Sequence, residues 1–275
     1  MADREFETIT FEVRDHVAWI TLNRPEVMNA FNFAMQMELR QAWLDVRLDD
    51  DIRVAVLTGA GEKAFCSGID RSEFGPLSEV AEDDHLRQFV ESSPSYDPIG
   101  QNLSPKSGLQ CWKPIVAAVN GVAAGGALYM LGEADIIICS ENATFFDPHV
   151  SFAMVSAYES VLMAHRMPLG EVLRMQLLGT YERMSAERAL QIGLVSEVVA
   201  QAELLDAAGR IAEAIAAQSP SAVQGTIRAT WAAHEHGRTA ALQLGPRFLD
   251  MVDTKDFDDM QAAFMSGKRV ETRVR

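Results

Sequence analysis

Polar and apolar residues alternate from Phe6 to Arg14 and again from His16 to Leu22, with Arg14-Asp15 as the step between them. A period of two turns one face of each segment toward a core, so the pair reads as a β-hairpin. Asn23-Arg24-Pro25-Glu26 ends the second strand, because proline fixes φ and carries no N–H. From Phe33 to Leu48 the period lengthens: Met35, Leu39, Trp43 and Val46 recur at helical spacing, which predicts a helix crossing back over the sheet. Arg53 to Thr58 is almost continuously apolar, the pattern of a strand covered on both faces. Pro114 to Val119 reads as another buried strand, bounded by proline and by Asn120-Gly121. Gly125-Gly126 then opens a small-residue segment, Ala127 to Gly132, suited to a buried helix.

Further strands are predicted over Ile136 to Cys139, Thr144 to Phe146 and Leu194 to Val199. Helices are predicted over Tyr158 to Met167, Leu169 to Leu178 and Ser185 to Gly193. From Gln201 onward the pattern is helical almost to the end, with Pro220 separating two helices. Residues 75 to 110 are polar and hold four prolines, which marks either a mobile lid or a surface excursion without a role. The expected organisation is a mixed core over residues 1–200 and a helical region over 201–275.

Composition narrows the chemistry. The 275-residue chain carries a formal charge of -15, which argues against nucleic acid and against anionic membranes, since both call for a basic surface. No run approaches the length of a membrane span, and the N-terminus has no apolar signal core, so a cytoplasmic protein is expected. The 3 cysteines, Cys66, Cys111 and Cys139, are too few and too scattered for a disulfide framework or a metal cluster, and no metal is expected.

Strand, glycine turn and helix meet at Gly125-Gly126. An N–H at such a helix start has no intrahelical partner and lies at the positive end of the dipole, so it can receive a developing negative charge. By itself the pair equally fits a device for close helix–sheet packing. A second glycine-rich turn, Gly59-Ala60-Gly61, leads into Ala64-Phe-Cys-Ser-Gly-Ile-Asp70.

Five stretches, Ile20 to Pro25, Asn29-Ala-Phe31, Ala64 to Asp70, Pro114 to Gly126, and Leu178 to Ser185 leading to Ile192-Gly-Leu-Val195, carry a resemblance in their order and spacing. Together they resemble the enoyl-CoA hydratase/isomerase family, the crotonase superfamily, from about Ile9 to about Arg269. The resemblance implies an α/β fold, a crotonase-like ββα spiral with a C-terminal helical trimerisation region, assembled as a homotrimer or a dimer of trimers. It implies an acyl-CoA thioester substrate, with coenzyme A as part of the substrate and no further cofactor. Two peptide N–H groups, on Ile69 and Gly126, would hold the thioester oxygen. Arg24, Glu26 to Met28 and the segment Ala64, Cys66 and Ser67 would line the channel for adenine and pantetheine. Phe248 and Phe264 match aromatic positions of the coenzyme A pocket, although helical packing accounts for them equally well. Lys268 stands nearest to the phosphate-binding lysine, one residue out of register.

Departures from the family pattern bear on the reaction. Hydration of an enoyl thioester uses a water held between two carboxylates. The first glutamate position, three residues after the oxyanion glycine, holds Tyr129, and the second falls in Asp147-Pro148-His149. Tyrosine, with an ordinary pKa of about 10, is a poor base at neutral pH, which leaves Tyr129 as a polar helper that could orient water or donate a proton, whereas histidine at about 6.5 suits acid–base work. Glu159 is the one carboxylate in the next helical window, Ser156 to Glu159, and counts slightly late, so that a small shift is expected if it is to face His149 and orient it. Its alternative is a solvated helix residue. Isomerisation or another proton transfer is therefore expected ahead of efficient hydration. The alternatives are His149-dependent hydrolysis of a C–C bond or thioester, and a non-catalytic acyl-CoA-binding homologue. Asp70 reads as a turn or cap residue.

Overall fold

Asp15 and His16, at φ 49° and 67°, turn the chain between β1 (Ile9–Arg14) and β2 (Val17–Leu22), which pair antiparallel from Ile9↔Leu22 to Arg14↔Val17. Positive φ at both central residues matches the right-handed twist of the flanking strands. The computed structural model describes residues 5–72, 98–267 and 272–274. Asn32 caps α1 (Phe33–Leu48), its side chain accepting from the Met35 N–H at 2.9 Å, and the helix buries Met35, Leu39, Trp43 and Val46 as the spacing predicted.

Eight further strands among the described residues then build two sheets. β3 (Val54–Gly59), β5 (Ile115–Val119), β7 (Ile136–Ser140) and β10 (Glu197–Val199) extend the hairpin into a six-stranded sheet of order β1-β2-β3-β5-β7-β10, parallel throughout beyond the hairpin. β4 (Ala64–Cys66), β6 (Val122–Ala124), β8 (Thr144–Phe146) and β9 (Met184–Ser185) form a four-stranded sheet in that order. β3, β5 and β7 each turn directly into a partner strand in the other sheet, which is the repeating unit of the spiral. Buried asparagines pin these turns. Asn120 accepts from the Gly59 N–H and donates to the carbonyls of Gly61 and Ala64, while Asn29 donates to Ala60 and Ala64. Three carbonyls in and before the start of the short β4, those of Ala60, Gly61 and Ala64, thereby gain partners.

Between these strands lie α2 (Pro98–Leu103), α3 (Ala127–Glu133), α4 (Tyr158–Ala164), α5 (Leu169–Leu178) and α6 (Ala186–Gln191). α4 stops at Ala164 rather than Met167, because a residue before proline is pushed out of helical φ,ψ and Pro168 follows Met167. β10 starts at Glu197 rather than Leu194, since the N–H groups of Leu194 and Val195 both turn back to the Ala189 carbonyl to close α6. Most of the expected lid lies outside the described residues. Its last part is not a lid: Leu103 and Ser104 are buried, and buried Lys106 donates to the Glu133 carbonyl and pairs with Asp135 at 2.8 Å.

The chain divides into two compact units, residues 1–213 and 214–275, the division falling within α7 (Leu204–Ala216). The second unit holds α8 (Pro220–His236), α9 (Arg238–Leu249) and α10 (Thr254–Met265). In it Asp256 accepts from Ser219 and Ser221, tying α10 to the start of α8. Among the described residues no helix is long and apolar enough to cross a membrane.

Candidate active site

A single parallel bridge, Phe31↔Ile69, shapes the first loop of the site. Phe31 donates to the Gly68 carbonyl at 2.9 Å and accepts from the Asp70 N–H at 2.9 Å, so the Ile69 N–H between them points away from Phe31. Gly68 sits at φ 98°, and a Cβ there would come within 3.5 Å of the Gly126 nitrogen, which brings the two glycine loops together. Gly125, at φ 52°, turns the chain into α3, and a Cβ on Gly126 would strike the Phe31 ring at 2.4 Å. Neither the Ile69 nor the Gly126 N–H donates to a described residue. Two amides left without partners at adjoining turns are what an oxyanion needs.

His149 stands beside this turn. A Cβ on Gly125 would lie 3.8 Å from its Cε1. A short 3-10 turn, His149–Phe152, follows Pro148, and Ala153 at φ 57° then reverses the chain, with the Met154 N–H donating to the His149 carbonyl. Asp147, fully buried, accepts from His149 Nδ1 at 2.6 Å, from the His149 N–H at 2.9 Å and from Ser156 Oγ at 2.8 Å. On the opposite ring nitrogen, Nε2, Glu159 Oε1 lies at 3.5 Å, and Glu159 is only 4% exposed. The hydrogen bond to Asp147 raises the His149 pKa above its ordinary 6.5 against the opposing effect of burial, and the charges of Glu159 and Asp147 add to the rise. Burial pushes Asp147 upward, but the His149 and Ser156 hydrogen bonds outweigh it and hold the carboxyl below its ordinary 3.8.

Close helix packing carries Glu159 to the ring. A Cβ on Gly132 of α3 would sit 2.7 Å from Leu162 Cβ of α4, so the absent side chain lets α4 lie directly on α3. Arg166 fastens the far end of α4 by donating to the carbonyls of Gly132 and Ala134, two of the last acceptors of α3. The expected small shift of Glu159 is unnecessary, and a different carboxylate orients the imidazole at Nδ1. Asp147 received no role from the sequence; its spacing two residues before His149 is that of an Asx turn, which was the available signal. Tyr129 is 5% exposed on α3, its ring 6.3 Å from that of Tyr158, the neighbour of Glu159. Asp147, His149 and Glu159 offer ligand atoms within 4.8 Å of one another, yet the carboxylates occupy opposite ring nitrogens, an arrangement suited to proton relay.

The residues expected to line the coenzyme A channel fall in three places. Arg24, Glu26, Met28 and Ser67 cluster at the 3-10 turn Pro25–Val27, where the Ser67 N–H donates to the Met28 carbonyl, and Glu26 and Met28 are exposed. Arg24 pairs with Asp70 at 2.8 Å and donates to the Ala30 carbonyl; Asp70 also accepts from Ser72, as a turn residue does. Ala64 and Cys66 are buried inside β4, where desolvation pushes the Cys66 thiol up to about 12, so it is inert as a nucleophile. In the second unit Phe248 is half-buried and Phe264 is 78% exposed. Lys268 lies outside the described residues.

Paired strands feeding two sheets, with two glycine turns beside an acid–base cluster, define a crotonase-type α/β spiral. The chain belongs to the enoyl-CoA hydratase/isomerase family, whose sequence profile matches residues 12–269. It is 41% identical to (E)-benzylidenesuccinyl-CoA hydratase of Thauera aromatica over 221 residues, 80% of this chain and 81% of that protein. It is 30% identical to the short-chain-enoyl-CoA hydratase of Clostridium acetobutylicum over 268 residues, 97% and 98% of the two chains. The crystal structure of an enoyl-CoA hydratase/isomerase from Mycobacterium paratuberculosis superposes with a TM-score of 0.82 at 35% identity, covering 98% of this chain and 100% of the other. The protein is an enzyme of this family, of the acyl-CoA type.

Proposed function

We propose that this enzyme adds water to, or removes it from, the Cα–Cβ bond of a 2-enoyl-CoA thioester, with His149 and Glu159 in place of the two glutamates. The observation that carries the reading is the 3.5 Å approach of Glu159 Oε1 to His149 Nε2. Two groups at that separation can both hydrogen-bond one water at about 2.8 Å. The raised pKa of His149 suits it to the acid role, leaving Glu159 as base. Glu159 takes a proton from the water as its oxygen bonds Cβ, and the π pair moves onto the thioester oxygen, held by the Ile69 and Gly126 N–H groups. The enolate then collapses at Cα with a proton from His149, and Glu159 returns its proton to the ring. The sequence alone favoured isomerisation, which needs one shuttling group; a second group beside the first makes hydration chemically competent again. Relatives named as hydratases support it.

The 2.6 Å contact of His149 with Asp147 favours a second reading, in which an imidazole fixed in one orientation activates water against a carbonyl and cleaves a C–C bond or the thioester. Purified protein offered 2-enoyl-, 3-enoyl- and β-keto-acyl-CoA esters separates the readings. Turnover of the 2-enoyl ester to the 3-hydroxy ester is expected, reduced about 10²- to 10⁴-fold in His149→Ala and in Glu159→Gln. Cleavage of the β-keto ester with the enoyl ester inert replaces hydration by hydrolysis. Homotrimeric assembly is part of the same proposal, supported by exposed apolar side chains such as Val155 (84%) and Leu177 (68%), and sedimentation velocity tests it.

A further inference from the structure

Arg71 follows Ile69 by two residues, and its guanidinium carbon lies 4.6 Å from the centre of the Phe152 ring. Phe152 closes the 3-10 turn that His149 begins. One side chain thus reaches from the loop bearing an oxyanion amide to the turn bearing the acid–base imidazole. A guanidinium seated on an aromatic face keeps its edge N–H donors free, because the attraction uses the π face and not those hydrogens. Arg71 makes no ion pair with any described residue. Its sequence neighbour Asp70 is already taken by Arg24 and Ser72. Phe152 is 51% exposed, so the contact sits at the rim of the site rather than in the core.

Resting on the acyl-CoA reading of the site, we propose that Arg71 binds a carboxylate carried on the acyl group, making the preferred substrate the monothioester of a dicarboxylic acid. A planar fork of donors matches a carboxylate in a bidentate pair, and the strength of charged hydrogen bonds gives a preference of about ten- to hundredfold over an uncharged end. The positive charge rests on Phe152, in the turn that begins at His149, so it stands beside the group that acts on the acyl chain.

Binding and turnover test this separately. Isothermal titration of glutaryl-CoA against pentanoyl-CoA compares a terminal carboxylate with a terminal methyl without requiring any reaction. Glutaryl-CoA is expected to bind at least tenfold tighter, with the ratio falling to about one in Arg71→Met and surviving in part in Arg71→Lys. The kcat/KM ratio of glutaconyl-CoA to 2-pentenoyl-CoA is expected to follow the same course. Equal affinities in the unaltered enzyme, or a ratio that persists in Arg71→Met, overturns the proposal; so does an equal loss for both esters, which places Arg71 on coenzyme A or in the scaffold. A binding preference without turnover of either enoyl ester leaves Arg71 in place and overturns only the hydratase reading.

Discussion

Asp147 Oδ1 accepts two hydrogen bonds from His149, from ring Nδ1 at 2.6 Å and from the backbone N–H at 2.9 Å. The carboxylate therefore sets both where the ring stands and which nitrogen faces Glu159. Its other oxygen is held by Ser156 at 2.8 Å, so the orienting group is itself fixed.

Replacing Asp147 with Asn removes the first cause of the raised His149 pKa and leaves burial, which acts in the opposite direction. The alkaline limb of the pH–kcat profile, lying above 6.5 in the unaltered enzyme, is expected to move to lower pH in Asp147→Asn. kcat at its optimum is expected to fall by about two orders of magnitude. A profile with an unmoved alkaline limb contradicts the orienting role.

The same pair makes stability depend on pH. His149 binds its proton more tightly folded than unfolded, so its contribution is fully present below the unfolded value of about 6.5 and is lost as pH rises through the higher folded value. Asp147, depressed from 3.8, contributes above that value and loses its share as pH falls through the lower folded one. Melting temperatures measured from pH 5 to 9 are expected to decline less steeply above 6.5 in His149→Gln than in the unaltered protein.

Gly132 is where helix packing meets catalysis. In Gly132→Ala the new methyl would stand 2.7 Å from Leu162 Cβ, forcing α4 off α3. A cost of about 1–3 kcal/mol in denaturant unfolding is expected. Because α4 carries Glu159, kcat is expected to fall at least tenfold. Unchanged kcat in a destabilised variant would separate Glu159 from the chemistry.

Gly68→Ala tests the other loop. A Cβ there meets the Ala124 carbonyl at 3.1 Å on a backbone at φ 98°, so the loop has to shift and re-aim the Ile69 N–H. Loss of one oxyanion donor costs about 3 kcal/mol, near two decades in kcat. Isothermal titration with a saturated acyl-CoA is expected to show binding largely retained, since Glu26 and Met28, expected in the coenzyme A channel, lie outside the shifted loop.

Much of the framework was readable because its rules are local. Alternation set the hairpin, a 3.6-residue period set α1 from Phe33 to Leu48, and the Gly125-Gly126 pair marked one turn of the candidate oxyanion site, the other, Gly68-Ile69, being implied by the family resemblance. His149 could be singled out because it falls where the family that the chain resembles keeps a catalytic group. Where the reading erred, a distant or neighbouring group intervened: Pro168 shortened α4, and Lys106 drew the end of the supposed lid into the core through Glu133 and Asp135.

His149 and Glu159 as candidates for the chemistry, and Gly125-Gly126 as a turn that could hold an anion, were thus set out by the sequence and its family resemblance, since residue type and φ preference are properties of short stretches; Asp147 was not. Which carboxylate serves which nitrogen of His149 was decided only by the tertiary structure. Asp147 folds back onto Nδ1 through its own turn, while Glu159 reaches Nε2 because the missing side chain of Gly132 admits Leu162 and Arg166 fastens α4 to the end of α3. Contacts between α3 and α4 depend on distance in space between helices, and no count along the chain contains it.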